Sequence, residues 1–233
     1  MNSALGASEW AIVVLSLKVS LVAVMLVLPV AYALGWLLAR RRFPGMLLLD
    51  GLVNLPLVLP PVVTGWLLLL LFGRNGAIGG WLENQFGVVL VFRWTGAALA
   101  AAVMALPLMV RAMRLSIEAV DRRLVGAART LGASRWYAFR TITLPLSAPG
   151  ILAAAVLGFA RSLGEFGATV TFASNIAGET RTLPLAIYTG LQAPGGEALV
   201  TRLAIISVVL SLGALLASEL LARRMMGRGG HVL

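Results

Sequence analysis

The sequence predicts an all-α integral membrane protein with five transmembrane helices, its N-terminus outside and its C-terminus inside. Three observations lead there. Of the 233 residues, 60% are hydrophobic and only 12% are charged, where a soluble domain carries roughly half and a quarter. The apolar residues gather into five blocks, each at least the ~20 residues that a helix needs to cross a bilayer. The arginines stand at the margins of those blocks, as a cytoplasmic bias for positive charge requires.

The first block covers 11–39. It is too long for a signal-peptide core and no basic residue precedes Lys18, so a retained span is expected. Lys18 lies near one end, where its stem can snorkel. The second block, 52–72, contains Pro56, Pro60 and Pro61. Three prolines in six residues favour a locally non-helical entry, which lipid allows only against protein or water. The third block is 96–115, the fourth 148–172 and the fifth 203–222. Pro29 and Pro107 read as tolerated kinks in packed helices. Backbone in hydrocarbon must satisfy itself, so each block is expected as helix. A weaker run, 182–192, is too short to cross and reads as an interfacial or re-entrant helix on the outer side. No repeat or linker divides the chain, and 1–233 reads as one domain.

Charge sets the orientation. Eighteen of the 19 basic residues are arginines. Three stand at 40–42, seven between 111 and 140, and three between 223 and 228; the opposite loops hold only Arg74, Arg93, Arg181 and Arg202. That is 13 against 4, which places the N-terminus outside and the C-terminus inside. The net charge of +10 is thereby explained by topology, and nucleic acid is not an expected partner.

Several chemistries are excluded. There is no cysteine, and the only histidine, His231, is third from the end and expected as a solvated tail residue. Neither a histidine-based metal cluster nor a catalytic triad can be built. The sole lysine lies in "SLKVS", so no phosphate-binding loop exists and any ATP must be bound by another subunit. Asp50, Glu118, Asp121 and Glu219 lie near span ends, where solvated or capping roles suffice.

Polar residues inside the fourth block stand out. In "FARSLGEFGATVTF", Arg161 and Glu165 are four apart and can pair. Gly158, Ser162, Glu165 and Thr169 form one stripe of a continuous helix, and Gly164, Gly167 and Ala168 permit close helix contact. Two readings stand. One is an ion pair that holds the bundle together. The other is a translocation path for a hydrophilic solute, lined by Arg161, Ser162, Glu165 and Thr169 with Pro60, Pro61 and Thr64 of the second block.

Between the third and fourth blocks runs "RRLVGAARTLGASRWYAFRTITLPLSAPG", residues 122–150. Leu124, Ala128 and Leu131 have helical spacing and Gly132 is a stop signal. Such a helix could lie on anionic lipid, or present the small Ala127 and Ala128 to a partner. The run "GAARTLGASRWYAFRTITLP" resembles the coupling-loop signature of ATP-binding-cassette importer permeases: Glu-Ala-Ala, three residues, Gly, nine residues, Ile-x-Leu-Pro. Ala127, Ala128, Gly132, Ile142, Leu144 and Pro145 match it, and Gly126 stands where an acidic residue is usual. The resemblance implies a cytoplasmic coupling helix in a loop at about 121–146. Gly126, Ala127, Ala128, Arg129, Gly132, Ala133, Ile142, Leu144 and Pro145 would form the segment that docks on an ATPase.

"LPLVLPPVVTGWLLLLLFGRNGAIG", "ALPLMVRAMRLSIEAVD" and "FARSLGEFGATVTFASNIAGETRTLPLAIYTGLQAPGGE" are similar to molybdate importer permeases, from Glu9 to about Arg224. Ala177 replaces a proline usual in that family. Sulfate permeases share a "LGEFGA"-like element. The resemblance implies a non-catalytic permease in the bacterial inner membrane that carries molybdate, with tungstate as companion, by alternating access. It also implies a homodimer, two cytoplasmic ATPase subunits and a periplasmic oxyanion-binding protein. No cofactor is expected on this chain, because ATP and magnesium would bind the ATPase. A sulfate or thiosulfate permease is the alternative within the class. A self-contained channel or secondary transporter, coupling ions through Arg161 and Glu165, is the alternative outside it.

Overall fold

The computed structural model describes residues 6–229, so His231 lies outside the described residues. Among the described residues every regular element is helical. Helix α1 (Ala7–Arg40) has 34 residues, which at ~1.5 Å per residue is ~51 Å long, more than the ~30 Å of a bilayer core. Helices α2 (Met46–Val58), α3 (Pro61–Phe72) and α4 (Ala77–Phe86) lead to α5 (Trp94–Ala119). Helix α6 (Arg122–Thr130) is followed by a helical run, Arg135–Leu146. That run comprises α7 (Arg135–Ala138), a π segment (Phe139–Thr143) and α8 (Leu144–Leu146). Then come α9 (Ala148–Leu163), α10 (Gly167–Phe172), α11 (Leu183–Gln192) and α12 (Glu197–Gly229).

Helix α5 is the centre of the packing. Ala97, Ala98, Ala100, Ala101, Ala102 and Ala105 are buried along it with Met104, Met109 and Met113. Short side chains let α1 and α9 approach α5 closely, and α1 and α9 also touch each other. Gly35 of α1 meets α5 so tightly that a Cβ there would stand 2.8 Å from the Met113 Cβ. Outward-facing Leu21, Met25, Leu26 and Val30 of α1 are exposed, as expected of a lipid-facing or subunit-facing surface.

Helices α1 and α5 run in the same direction. At one end Lys18 of α1 holds its ammonium 3.6 Å from the ring centroid of Trp94, the first residue of α5. At the other end Arg40 of α1 donates to the carbonyls of Ile117 and Val120 at the close of α5. The chain must therefore return between them, and α2, α3 and α4 occupy that interval. Near the Lys18 end, Arg202 of α12 pairs with the buried carboxylate of Glu9, and Glu179 accepts from the Trp94 amide at 3.3 Å.

The second block, 52–72, is broken at its prolines, where a non-helical entry is expected: α2 and α3 diverge by 117°. Leu59 and Pro60 take extended backbone, with ψ of 142° and 135°. Neither Pro60 nor Pro61 has an N–H, and each pushes the residue before it out of helical geometry. Pro61 then starts α3 at a position where a missing N–H costs nothing. The expected helix over 148–172, by contrast, is corrected. It ends at Leu163, passes through Gly164, Glu165 and Phe166, and restarts at Gly167. The run before it, Arg135–Leu146, is bent 59° from α9. Among the described residues three uninterrupted helices are long and apolar enough to cross a membrane: α1, α5 and 197–217 of α12. Two bent pairs bring the number to five when each is counted as one span. The loop expected over 73–95 contains α4, and the short run 182–192 forms α11, with Leu183 and Leu185 fully buried. The Leu183 amide donates to Ser16 Oγ of α1 at 2.7 Å.

Candidate functional site

Two regions contain the residues singled out by the sequence. The first is the segment between α5 and α9. Asp121 starts α6 by accepting from the Arg123 amide at 2.8 Å. The helix ends where Gly132 adopts φ +90°, and the Ala133 amide reaches back to the Ala128 carbonyl at 3.0 Å. Ser134 then starts α7 by accepting from the Tyr137 amide at 3.1 Å. These two caps and the left-handed glycine fold the segment into a helical hairpin.

No residue of α6 is buried. Gly126, Ala127, Arg129 and Gly132 are exposed, while Ala128 and Ala133 are half-buried. Leu131 is 89% exposed, and Trp136 and Tyr137 are exposed beside it. Large apolar side chains on a projecting basic hairpin mark a surface that a partner or a membrane covers. Ile142 and Leu144 are half-buried at its base and Pro145 is exposed. The register there widens to π over Phe139–Thr143, directly ahead of Pro145, which has no N–H with which to continue an α ladder.

The base of the hairpin is tied to the bundle by residues that sequence reasoning missed. Arg40 Nη2 lies 2.8 Å from Ile117 O and 2.9 Å from Val120 O. Arg122 Nη2 reaches Ala39 O at 3.3 Å. Each guanidinium thus meets carbonyls at the negative end of a helix. Tyr32 and Ser147 hydroxyls are 3.0 Å apart, and Ser147 also donates to Leu144 O at 3.1 Å. Tyr32 packs edge-on against Phe139 at 6.1 Å. The signal available for Arg40 was its place in the last turn of α1.

The second region is where the two broken helices meet. Gly65 of α3 lies against α10, where a Cβ would stand 2.7 Å from the Ala168 carbonyl oxygen. Gly167 of α10 lies in turn against Pro61, where a Cβ would stand 2.7 Å from the proline Cβ. The breaks at Leu59–Pro60 and Gly164–Phe166 are therefore neighbours. Arg161 pairs with Glu165 at 2.5 Å, the guanidinium side chain 25% exposed and the carboxylate 2%. The other oxygen of Glu165 accepts from the Ala168 amide at 2.8 Å. Glu165 thus caps the first turn of α10 with negative charge as well as neutralising Arg161.

The structure brings Thr64, Ser162, Glu165 and Thr169 into the interior, all buried, while Pro60 and Pro61 are exposed. The straight stripe expected from Gly158 to Thr169 does not exist, because the helix is interrupted between Ser162 and Thr169. Gly158 faces Met109 of α5. The hydroxyls of Thr64 and Ser162 are buried without a hydrogen-bond partner, which leaves two polar groups able to respond to a solute or to a rearrangement. Among the described residues no three His, Cys, Asp or Glu side chains gather closely enough to hold a metal ion.

Residues 31–227 match the family described as "Binding-protein-dependent transport system inner membrane component". The chain is 60% identical over 223 residues to the molybdenum transport system permease protein ModB of Escherichia coli (strain K12), covering 96% of this chain and 97% of that protein. It is 38% identical over 197 residues to the sulfate transport system permease protein CysT of the same strain, covering 83% and 71%. Among solved structures, it is similar to the bacterial alginate ABC transporter in complex with alginate pentasaccharide-bound periplasmic protein. That likeness has a TM-score of 0.74 at 18% identity, over 94% of this chain and 80% of that one. Inward-facing MetNI methionine ABC transporter matches with a TM-score of 0.69 at 17% identity, over 94% of both chains. At these identities the structural likeness concerns the fold.

Proposed function

The chain belongs to the family of binding-protein-dependent transport system inner membrane components, and on that premise we propose that it is the permease subunit of an ATP-driven molybdate importer. It is an inner-membrane protein and a non-catalytic subunit. The observation that carries the substrate is 60% identity along 96% of the chain to a molybdenum permease, against 38% to a sulfate permease. Tungstate, a tetrahedral dianion of the same shape, is the expected companion.

Each bent helix pair counts as one crossing in this reading, which gives five crossings with the N-terminus outside and the C-terminus inside. The parallel course of α1 and α5, and the 13-to-4 distribution of arginines, support it. The hairpin α6–α7 is then cytoplasmic. Ala127, Ala128 and the exposed Leu131 present a small-residue surface with one apolar knob to a groove on an ATPase subunit. Gly132 and Ala133 shape its rim, and Ile142, Leu144 and Pro145 join it to α9. Two copies of the chain, two ATPases and a periplasmic oxyanion-binding protein complete the assembly. ATP and magnesium belong to the ATPases.

Movement of the hairpin is transmitted through its base. Arg40, Arg122 and the Tyr32–Ser147 contact connect it to the ends of α1 and α5, and α9 leads from it to the break at Gly164. That break, with Pro60, Pro61 and Thr64 beside it, is the proposed gate of the translocation path. Ser162 and Thr169 lie buried on either side of it, and Arg161 supplies positive charge whose partner is already Glu165. The test is uptake by the reconstituted permease, ATPase and binding protein. Molybdate and tungstate should compete for one ATP-dependent flux and sulfate should not. Uptake without ATP by the permease alone, or sulfate competing equally, would overturn the reading.

A further inference from the structure

Beside the base of the hairpin, five arginines line one cleft of about 310 Å³: Arg40, Arg41, Arg122, Arg129 and Arg135. No carboxylate lines it. Arg40 and Arg122 donate only to backbone carbonyls there, which are neutral acceptors. Among the described residues none of the five is in an ion pair, and the nearby acids are engaged elsewhere, Glu118 with Arg114 and Asp121 with the α6 backbone. Like charges brought together repel each other; Glu118, the acid that faces Arg40, is already paired with Arg114, so a bound anion relieves that cost.

A second, apolar groove of about 690 Å³ opens beside the first, lined by Tyr32, Leu37, Trp36, Trp136 and Phe139. The two share Trp36, Arg41, Arg135 and Phe139 as a common wall. Arg41 lies over the Trp36 ring, 5.8 Å from its centroid. Trp136, exposed on α7, stacks on Phe139 at 5.4 Å. Basic cleft, tryptophan rim and apolar groove follow one another in the order of a phospholipid's headgroup phosphate, interfacial region and acyl chain.

We infer that this composite cleft is a binding site for one anionic phospholipid, its phosphodiester among the arginines and an acyl chain along Tyr32, Trp36 and Trp136. The occupant is a lipid rather than a free oxyanion because a free anion would leave the adjoining aromatic groove exposed to water. Arg41 and Trp36 belong to α1 or its end, and Arg135 and Trp136 to the hairpin, so the bound lipid bridges the fixed bundle and the moving part. This rests on the chain being a membrane protein. It does not require the orientation proposed above, because a nanodisc offers lipid to both faces.

The test uses the complex of permease and ATPase. Native mass spectrometry with added dioleoyl-phosphatidylglycerol should show one retained lipid per permease. Dioleoyl-phosphatidylcholine should be retained at least ten-fold less. Arg41→Gln/Arg135→Gln should lose the preference, whereas Arg111→Gln/Arg123→Gln, which removes equal charge outside the cleft, should keep it. In nanodiscs, phosphatidylglycerol brominated on its acyl chains should quench wild-type fluorescence more than Trp136→Phe fluorescence; brominated phosphatidylcholine should make no such difference. That second reading stands even if the double variant fails to fold. Equal retention of both lipids, or no quenching difference, overturns the site. Displacement of phosphatidylglycerol by millimolar inorganic phosphate or molybdate would assign the cleft to a free anion and would also overturn it.

Discussion

Arg40 closes the C-terminal end of α5, its Nη2 donating to the carbonyl of Ile117 at 2.8 Å. The contact joins residues 77 apart in sequence and places the root of the hairpin on two helices at once. Arg40→Leu leaves the Ile117 and Val120 carbonyls without this donor. It should cost about 2 kcal/mol, the scale of a hydrogen bond to a charged group. A lower thermal midpoint in detergent is expected, with ATP hydrolysis outrunning uptake. Arg40→Lys should recover part of both. Unchanged uptake per ATP in Arg40→Leu would show that the joint transmits nothing.

The Arg161–Glu165 pair yields to a mutant cycle. Glu165→Leu alone removes both the ion partner and the acceptor for the Ala168 amide. Adding Arg161→Leu leaves the same amide unserved but removes the stranded guanidinium. The single variant should therefore be the less stable, by about 1–3 kcal/mol, because an uncompensated charge is worse than none. Arg161 is partly exposed, which holds the figure below that of a fully buried pair. Equal stability, with both variants dead in transport, would assign the pair to the path.

Helix contact at the two breaks depends on absent side chains. Gly65→Ala would put a Cβ 2.7 Å from the Ala168 carbonyl oxygen, a backbone atom that cannot swing away. A destabilisation of about 1–3 kcal/mol is expected from such overpacking, with loss of uptake. Gly51→Ala, which meets nothing within 4 Å, is the control and should be neutral or slightly stabilising. Thermal unfolding of the two variants side by side checks this.

Much of the fold was legible in the pattern of oil and charge. The ends of α1 and α5 follow apolar length and flanking arginines, since bilayer thickness and backbone satisfaction leave little choice. The i,i+4 pairing of Arg161 and Glu165 was legible for the same local reason, and the prolines announced the break after Val58. The break at Gly164 was not legible. Gly164 and Gly167 read equally well as close-packing residues of a continuous helix, and only tertiary contact decides that one ends α9 and the other meets Pro61. Glu9 gave no signal at all. Its partner Arg202 is 193 residues away, and local spacing carries no information about such a pair. The helical hairpin was legible from its spacing and from Gly132, but its anchors, Arg40 and Ser147, lie outside that run.

Glu9 and Arg202 allow a further prediction. They tie the start of α1 to the start of α12 at the end opposite the hairpin. Glu9→Arg should reduce the yield of folded protein, and Glu9→Arg/Arg202→Glu should restore part of it. Size-exclusion profiles of the three proteins decide the point, and no recovery in the double variant would mean that the pairing itself is not what the site needs.

The proposed role of the hairpin requires that Ala128 lies against an ATPase on the cytoplasmic side. The chain has no cysteine, so Ala128→Cys provides a unique thiol. The most direct measurement is thiol cross-linking in native membranes that contain the partner ATPase. An ATPase adduct is expected from Ala128→Cys, and none from Gly178→Cys near the opposite end. A correctly inserted Ala128→Cys protein that forms no adduct, or whose thiol is labelled from outside the cell, would contradict it.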